Sequence, residues 1–244
     1  MRSLAVFSVK GGVGKSALAV NLAHAAATLS ARRTLLWDLD TQGAATYTLR
    51  LAARPEASAR KAIAGGELGP IIQASDFARL DVLAADKSLR QLEKQLVEDD
   101  KSKRLRKLIK SLDKDYDRVI LDCPPGLTEL ADQVFRAVDL LVVPMLPSPL
   151  SMRAYDQLVE HLAKHHKGAA PAVLPVFTMV DRRKTLHRDT IAGQPDRLVI
   201  PYAAAIEAMA ATRLPVLAKA PTSPAARALS ALWTEVERTL VKLG

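Results

Sequence analysis

A single cysteine, Cys123, in 244 residues excludes an intrachain disulfide framework and fits a reducing compartment. The five histidines form no zinc pattern of the Cys/His kind. No apolar run reaches the ~18 residues of a membrane-spanning helix. Leu140 to Leu150 comes nearest, and it holds three prolines. Leu4 to Val9 is too short for the apolar core of a secretory signal, which runs about 7 to 15 residues. Internal repeats, low-complexity tracts and Gly/Ser or Pro linkers are also missing. These absences predict one domain over residues 1–244, cytoplasmic and without an N-terminal helix-turn-helix extension.

What the chain does have is material for a buried core, with 49% hydrophobic residues. Its net charge of +9 makes nucleic acid or an acidic membrane surface natural partners. Short apolar runs at Leu4 to Val9, Thr34 to Trp37, Leu80 to Leu83, Val119 to Leu121, Leu140 to Val143, Ala172 to Phe177 and Leu198 to Ile200 read as buried strands. Between them, helical spacing puts Leu18, Leu22, Ala25, Ala26 and Leu29 on one face. The same spacing relates Leu158 to Leu162, and Ala225, Leu229, Leu232, Val236 and Leu240 to one another. Alternating strands and helices predict an α/β fold, a mostly parallel sheet flanked by helices on both faces. Lys87 to Arg118 is the most polar stretch, with eleven basic and seven acidic residues. Its leucines and Ile109 at helical spacing predict one or two surface helices.

The first strand runs into Val9-Lys10-Gly11-Gly12-Val13-Gly14-Lys15-Ser16, and a helix-periodic segment opening at Ala17 follows. Glycines here let consecutive backbone N–H groups turn inward around phosphate oxygens, while the next helix directs its positive end at the same anion. Lys15 is placed to reach the β and γ phosphates, and the Ser16 hydroxyl to bind Mg²⁺. The nucleotide-binding set is therefore Gly11, Gly12, Val13, Gly14, Lys15, Ser16 and Ala17. The usual first glycine of such a loop is Val9 here, and an additional lysine, Lys10, opens it.

This loop resembles the deviant Walker A motif of the ParA/MinD family of P-loop ATPases. Trp37-Asp38-Leu39-Asp40-Thr41-Gln42-Gly43 is similar to the family's second motif, and Val119 to Gly126 to its Walker B strand and switch II. With the Val143-Pro144 and Ile200-Pro201 segments, the likeness covers essentially the whole chain. It implies the P-loop NTPase fold, ATP and Mg²⁺ as cofactors, and an ATP-dependent homodimer in which Lys10 crosses to the partner's nucleotide. A cation donated in trans neutralises two facing triphosphates and makes dimerisation depend on the γ phosphate.

Asp38 and Asp40 flank Leu39 at the end of one strand, and Asp122 ends another at the same carboxyl edge, where ligands of open α/β sheets collect. Asp122 is the expected Mg²⁺ holder, with Asp38 supporting the ion's outer surroundings. The resemblance gives Asp40 the attacking water, so Lys10, Lys15 and Asp40 form the catalytic set. The family often has proline where this chain has Thr41. Pro124-Pro125-Gly126 reads as a rigid turn followed by a free one, with Gly126 the pivot. Cys123 beside it reads as a small packed side chain.

Thr178 and Pro201 fall near the family's base-contacting positions and complete the nucleotide set. Arg182, Arg183, Lys184, Arg188, Arg213, Lys219 and Arg227 are basic residues suited to DNA phosphates without sequence readout. The family's Ile-Pro-Arg-x-x-Arg stretch stands here as Ile200-Pro201-Tyr202-Ala203-Ala204-Ala205, without its arginines. The final segment, Ala225 to Leu243, mixes Glu235 and Glu237 with basic residues and reads as a core-packing helix with Trp233 buried, not as a membrane anchor. His161 and His165 have the i, i+4 spacing of a metal pair, with His166 adjoining. No acid or cysteine nearby completes a motif, so a solvated face beside Lys164 and Lys167 is expected, and no zinc.

The resulting expectation is a slow Mg-ATPase switch that binds DNA non-specifically as a dimer. It would be nucleoid-associated and position a plasmid, chromosome or protein cargo. A ParB-like or cargo-specific activator would trigger hydrolysis. Two alternatives belong to other classes. One is a MinD-like or secretion-associated regulator bound to a membrane or complex. The other is a metabolic enzyme that transfers phosphate to a small molecule.

Overall fold

A computed structural model describes residues 1–52, 68–86 and 104–243. Its centre is one eight-stranded sheet in the order β3-β4-β2-β5-β1-β6-β7-β8. The strands are β1 (Arg2–Val6), β2 (Thr34–Asp38), β3 (Ile72–Ala74), β4 (Leu80–Leu83), β5 (Arg118–Asp122), β6 (Leu140–Met145), β7 (Ala172–Val180) and β8 (Leu198–Pro201). All pairs are parallel except β3 with β4. The antiparallel edge strand β3 is the one strand the sequence did not suggest. It is three residues long and follows Gly69-Pro70, so it carries no alternation to read.

The helices are α1 (Lys15–Thr28), α2 (Ala44–Thr48), α3 (Arg104–Ser111), α4 (Glu129–Ala137), α5 (Pro149–His165), α6 (Thr185–Ala192), α7 (Ala204–Glu207), α8 (Met209–Thr212), α9 (Val216–Lys219) and α10 (Pro224–Lys242). Strand residues alternate between two cores because both sheet faces are covered. Leu4, Val6, Leu36, Ile120 and Val142 pack with Leu22 of α1 and Leu232 and Trp233 of α10. Ala5, Phe7, Trp37 and Leu121 pack with Leu108 of α3, Val134 and Phe135 of α4 and Leu158 of α5. Phe7 and Phe135 meet edge to face with ring centroids 4.9 Å apart. Of the leucines expected on the polar stretch, Leu105, Leu108 and Leu112 are buried, whereas Leu89, Leu92 and Leu96 lie outside the described residues.

The last helix packs into the core as its pattern foretold. Ser223 caps it by accepting from the Ala226 N–H, and the Trp233 indole N–H donates to the Ser30 hydroxyl at 2.8 Å. Its Glu237 grips the start of β5, where the Arg118 guanidinium donates through Nε at 2.6 Å and through Nη2 at 3.0 Å. The Arg118 side chain is only 9% exposed, so this carboxylate is its main counter-charge.

One expectation about the helices fails. The histidines near the end of α5 are not a plain solvated face: His161 and His166 both bond Asp132 of α4, at 2.8 and 2.7 Å. The acid is invisible in the local pattern because it arrives from another helix, 29 residues earlier than His161.

Removing the counter-charge of a nearly buried guanidinium is costly. Glu237→Ala is expected to lower unfolding free energy by about 3 kcal/mol, read from urea denaturation. A loss under about 1 kcal/mol, the range of exposed pairs, would mean that solvent replaces the carboxylate.

Candidate nucleotide site

The order of the strands fixes where the site sits. From β1 the chain crosses to β2 on one side, and from β5 it crosses over β1 to β6 on the other. The carboxyl end of β1 is thus the topological switch point at which open α/β sheets bind ligands. At this point the chain leaves the sheet three residues sooner than the apolar run Leu4 to Val9 suggests, because β1 ends at Val6 and the loop begins.

Gly12 and Gly14 hold φ of +73° and +84°, which side-chain-bearing residues rarely adopt. Gly14 also lies against Met179, whose Cε would stand 3.6 Å from an added Cβ. Gly14 caps α1 without a side-chain hydrogen bond, and the first turn of α1 carries no acid. The amides of Lys15, Ser16 and Ala17 thus open the helix at the loop with no acid in their own turn, the arrangement that suits a phosphate. The buried Lys15 donates from Nζ to the Lys10 carbonyl at 3.2 Å. Burial pulls its ammonium below the usual value, against the carboxylates of Asp122 and Asp40, which favour the charge. Lys10 itself is half-buried at the loop's opening.

Asp38 and Asp122 are register partners on adjacent strands, and both are fully buried. Their surroundings differ. Asp38 accepts from the Thr46 N–H at 2.9 Å, the Thr46 hydroxyl at 2.7 Å and the Asp40 N–H at 3.2 Å. It thereby pins the loop between β2 and α2, and its lone pairs are largely spent. Both Asp122 oxygens are buried without a hydrogen-bond partner. Burial pushes the Asp122 carboxyl well up and the Asp38 charge adds to it. Lys15 and the Ser16 hydroxyl, which lies beside Asp122 outside hydrogen-bond geometry, offset this in part. Burial likewise raises Asp38 to about 6. An orphaned carboxylate beside a serine hydroxyl at the phosphate end of a P-loop is a donor set that fits Mg²⁺. Asp40 lies nearer the surface and accepts from the Gln42 N–H at 3.0 Å.

The base-side residues fall differently from the sequence reading. Thr178 lies inside β7 and not after it, and its hydroxyl donates to the Val13 carbonyl at 2.9 Å. It braces the phosphate loop. Met179 takes φ +53° at a shift in the β7–β8 register, which turns its side chain over Gly14. Gly14, Ala17, Asn21, Thr178, Met179 and Ile200 line a small apolar recess there, together with α7, and Pro201 is not among its lining residues. Met179 and Asn21 escaped the sequence reading, since neither a left-handed backbone nor the burial of one helix asparagine leaves a pattern. Gly126 stands at φ +97°, and Cys123 is buried as a small packed side chain.

Of the basic residues, Arg183 clamps Asp181 through both nitrogens at 2.9 Å and holds that carboxyl far below its usual range. Arg188 donates to the Arg182 and Arg183 carbonyls, and Arg227 to the Thr222 carbonyl. Arg213 donates to the Tyr47 carbonyl at 2.8 Å and lies 4.5 Å over the Tyr47 ring. Arg182, Lys184 and Lys219 are exposed.

Comparison with known proteins agrees with this geometry. The model of the AAA_31 family, an AAA domain, matches residues 1–173. The chromosome partitioning protein ParA of Caulobacter vibrioides is 31% identical over 195 residues, spanning 76% of this chain and 72% of that protein. Apo McdA of Cyanothece shares the fold with a TM-score of 0.84 at 18% identity, over 96% of this chain and 98% of that one. MinD of Pyrococcus horikoshii, solved with Mg-ADP, does so with a TM-score of 0.78 at 22% identity, over 100% and 98%. The chain belongs to the ParA/MinD family of P-loop ATPases. Among the described residues no helix is long and apolar enough to cross a membrane.

The raised carboxyls set a pH dependence. Asp38 binds its proton more tightly folded than unfolded, so the stability this adds is present below about pH 4 and lost as pH rises through about 6. Asp38 alone accounts for about 3 kcal/mol of that loss. In nucleotide-free, metal-free protein, unfolding free energy is expected to fall between about pH 4 and 6 by an amount on this order. Asp122→Asn should flatten the profile, because it removes one of two facing charges. An equal slope in both proteins, measured by urea denaturation, would show that the pair does not govern it.

Proposed function

We propose that this ATPase is a switch that forms a sandwich dimer with Mg-ATP, binds DNA non-specifically in that state, and positions a plasmid, chromosome or protein cargo. The observation that carries this reading is the meeting of a glycine-turned phosphate loop, a buried Lys15 and an unpartnered Asp122 at one sheet edge. Membership of a family that includes a chromosome-partitioning ParA supports the positional role.

In this reading the Gly11 to Ala17 amides and Lys15 hold the triphosphate. The Ser16 hydroxyl directly, and Asp122 through a water, would hold Mg²⁺, with Asp38 fixing the adjoining loop. The ion, when bound, neutralises charge on the terminal phosphates. Asp40, half-buried beside the Asp38 pin, orients the attacking water. Lys10 reaches the partner's nucleotide, which links ATP affinity to dimer affinity. The Pro124-Pro125-Gly126 turn begins two residues after Asp122 and so responds to what that carboxylate holds. A ParB-like or cargo-specific activator accelerates hydrolysis and releases the dimer from DNA. Net charge +9 supports a nucleoid surface in the cytoplasm. Arg182, Lys184 and Lys219 are the phosphate contacts this reading favours, since Arg183 and Arg213 are engaged within the protein.

Lys10→Ala should leave nucleotide binding by the monomer within about twofold while weakening ATP-dependent dimerisation about 100-fold. Sedimentation with Mg-ATP checks this, and unchanged dimerisation removes Lys10 from the trans position. Asp40→Ala should slow turnover about 100-fold or more and trap the ATP state. The trapped protein is expected to bind non-specific duplex DNA, weakening with salt by a slope of about −0.9 per phosphate neutralised. Binding to anionic liposomes instead would move the protein to the membrane-regulator class.

A further inference from the structure

Away from the nucleotide, at the far end of α5, three metal-ligating side chains meet. Asp132 sits in the first turn of α4, His161 near the end of α5, and His166 is the residue that caps α5. Two residues five apart on an ideal helix point about 140° from one another. They converge here because His166 leaves the helical path, at φ −124° and ψ 31°, and turns its ring back. Both Nε2 atoms address the same carboxylate oxygen, Asp132 Oδ1, at 2.8 and 2.7 Å.

We infer that Asp132, His161 and His166 form a site for a divalent transition ion of the zinc type, which fastens α4 to the end of α5. The three donor atoms lie within 4.8 Å of one another. A tetrahedral ion with bonds of about 2.0–2.2 Å places its ligand atoms roughly 3.4 Å apart. Small side-chain rotations therefore convert the hydrogen-bonded cluster into a coordinating one. Two imidazoles and one carboxylate favour zinc, cobalt, nickel or copper over magnesium, which takes oxygen.

The setting suits such an ion. The His166 side chain is 1% exposed and its Nε2 is directed at the cluster, which leaves the buried, unpartnered Nδ1 to carry the ring proton when Nε2 coordinates. The Phe135 ring closes one side, its centroid 6.2 Å from that of His161 and 5.6 Å from that of His166. Asp132 and His161 are about one-fifth exposed, which leaves a fourth coordination position to solvent. Burial acts to raise the Asp132 carboxyl, but the contacts with both imidazoles outweigh it and hold the group below the usual carboxylate range. It is an anion at neutral pH. His165 covers the outer side of His161, with ring centroids 4.7 Å apart and planes tilted by 33°, and is not itself a ligand. The site shares no residue with the phosphate loop. Yet α4 is the helix that carries the chain away from Pro124-Pro125-Gly126, so an ion here would steady the base on which that turn moves.

Tag-free, nucleotide-free, metal-stripped protein titrated with Co²⁺ tests the inference. One ion per chain is expected, with the visible spectrum of tetrahedral cobalt, displacement by Zn²⁺, and a Tm raised by Zn²⁺. Asp132→Asn and the part-exposed His161→Gln should weaken binding beyond the roughly 10–100-fold typical of losing an outer partner of a ligand. Their far-UV circular dichroism should match the parent. Asp122→Asn should keep the ion. No tetrahedral spectrum at micromolar cobalt, parental affinity in His161→Gln, or loss of the ion in Asp122→Asn would each overturn the assignment.

Discussion

Two carboxylates held side by side out of water constrain much of what surrounds them. Asp38 and Asp122 end neighbouring strands at the same level, and neither reaches solvent. Desolvation and mutual repulsion both oppose their charge. Lys15, itself pulled down by burial, offsets this in part at Asp122. The free protein therefore concentrates carboxylates at its sheet edge, where a divalent cation would offset their repulsion.

Such an arrangement persists only if the scaffold cannot relax away from it. The strands that carry the acids are packed on both faces, with Leu36 and Ile120 turned to one core and Trp37 and Leu121 to the other. Thr46 locks Asp38 by two hydrogen bonds and is itself held by the Ala85 N–H at 2.9 Å. Thr178 ties the phosphate loop to β7, and Arg118 with Glu237 ties β5 to the last helix. The strands and the loops that leave them at the phosphate end are thus held by both packing and hydrogen bonds.

Charge is divided between internal and external tasks. Arg213 and Arg183 are spent on Tyr47 and Asp181, which stabilise the α8 and α6 regions. Arg182 and Lys184, by contrast, are left to solvent. Counting basic residues along a sequence overstates the phosphate-binding surface, because guanidinium groups satisfy carbonyls and carboxylates within reach before they meet a partner.

The phosphate loop, the acid-bearing strands and the alternation of strands with helices were legible in the sequence because each rests on local chemistry. Glycines for a positive φ, a lysine and serine behind them, and apolar runs of strand length need no distant contact to be recognised. The final helix was legible for the same reason, from its periodicity and its mixed charge. Tertiary structure decided the rest. It put Thr178 beneath Val13, turned Met179 over Gly14, added a three-residue antiparallel edge, and brought Asp132 to His161 and His166 across two helices. It also distinguished Asp38, whose oxygens are satisfied, from Asp122, whose oxygens are not, although both read as strand-ending acids. Pairings between residues far apart in sequence depend on how elements pack, and no local spacing encodes that.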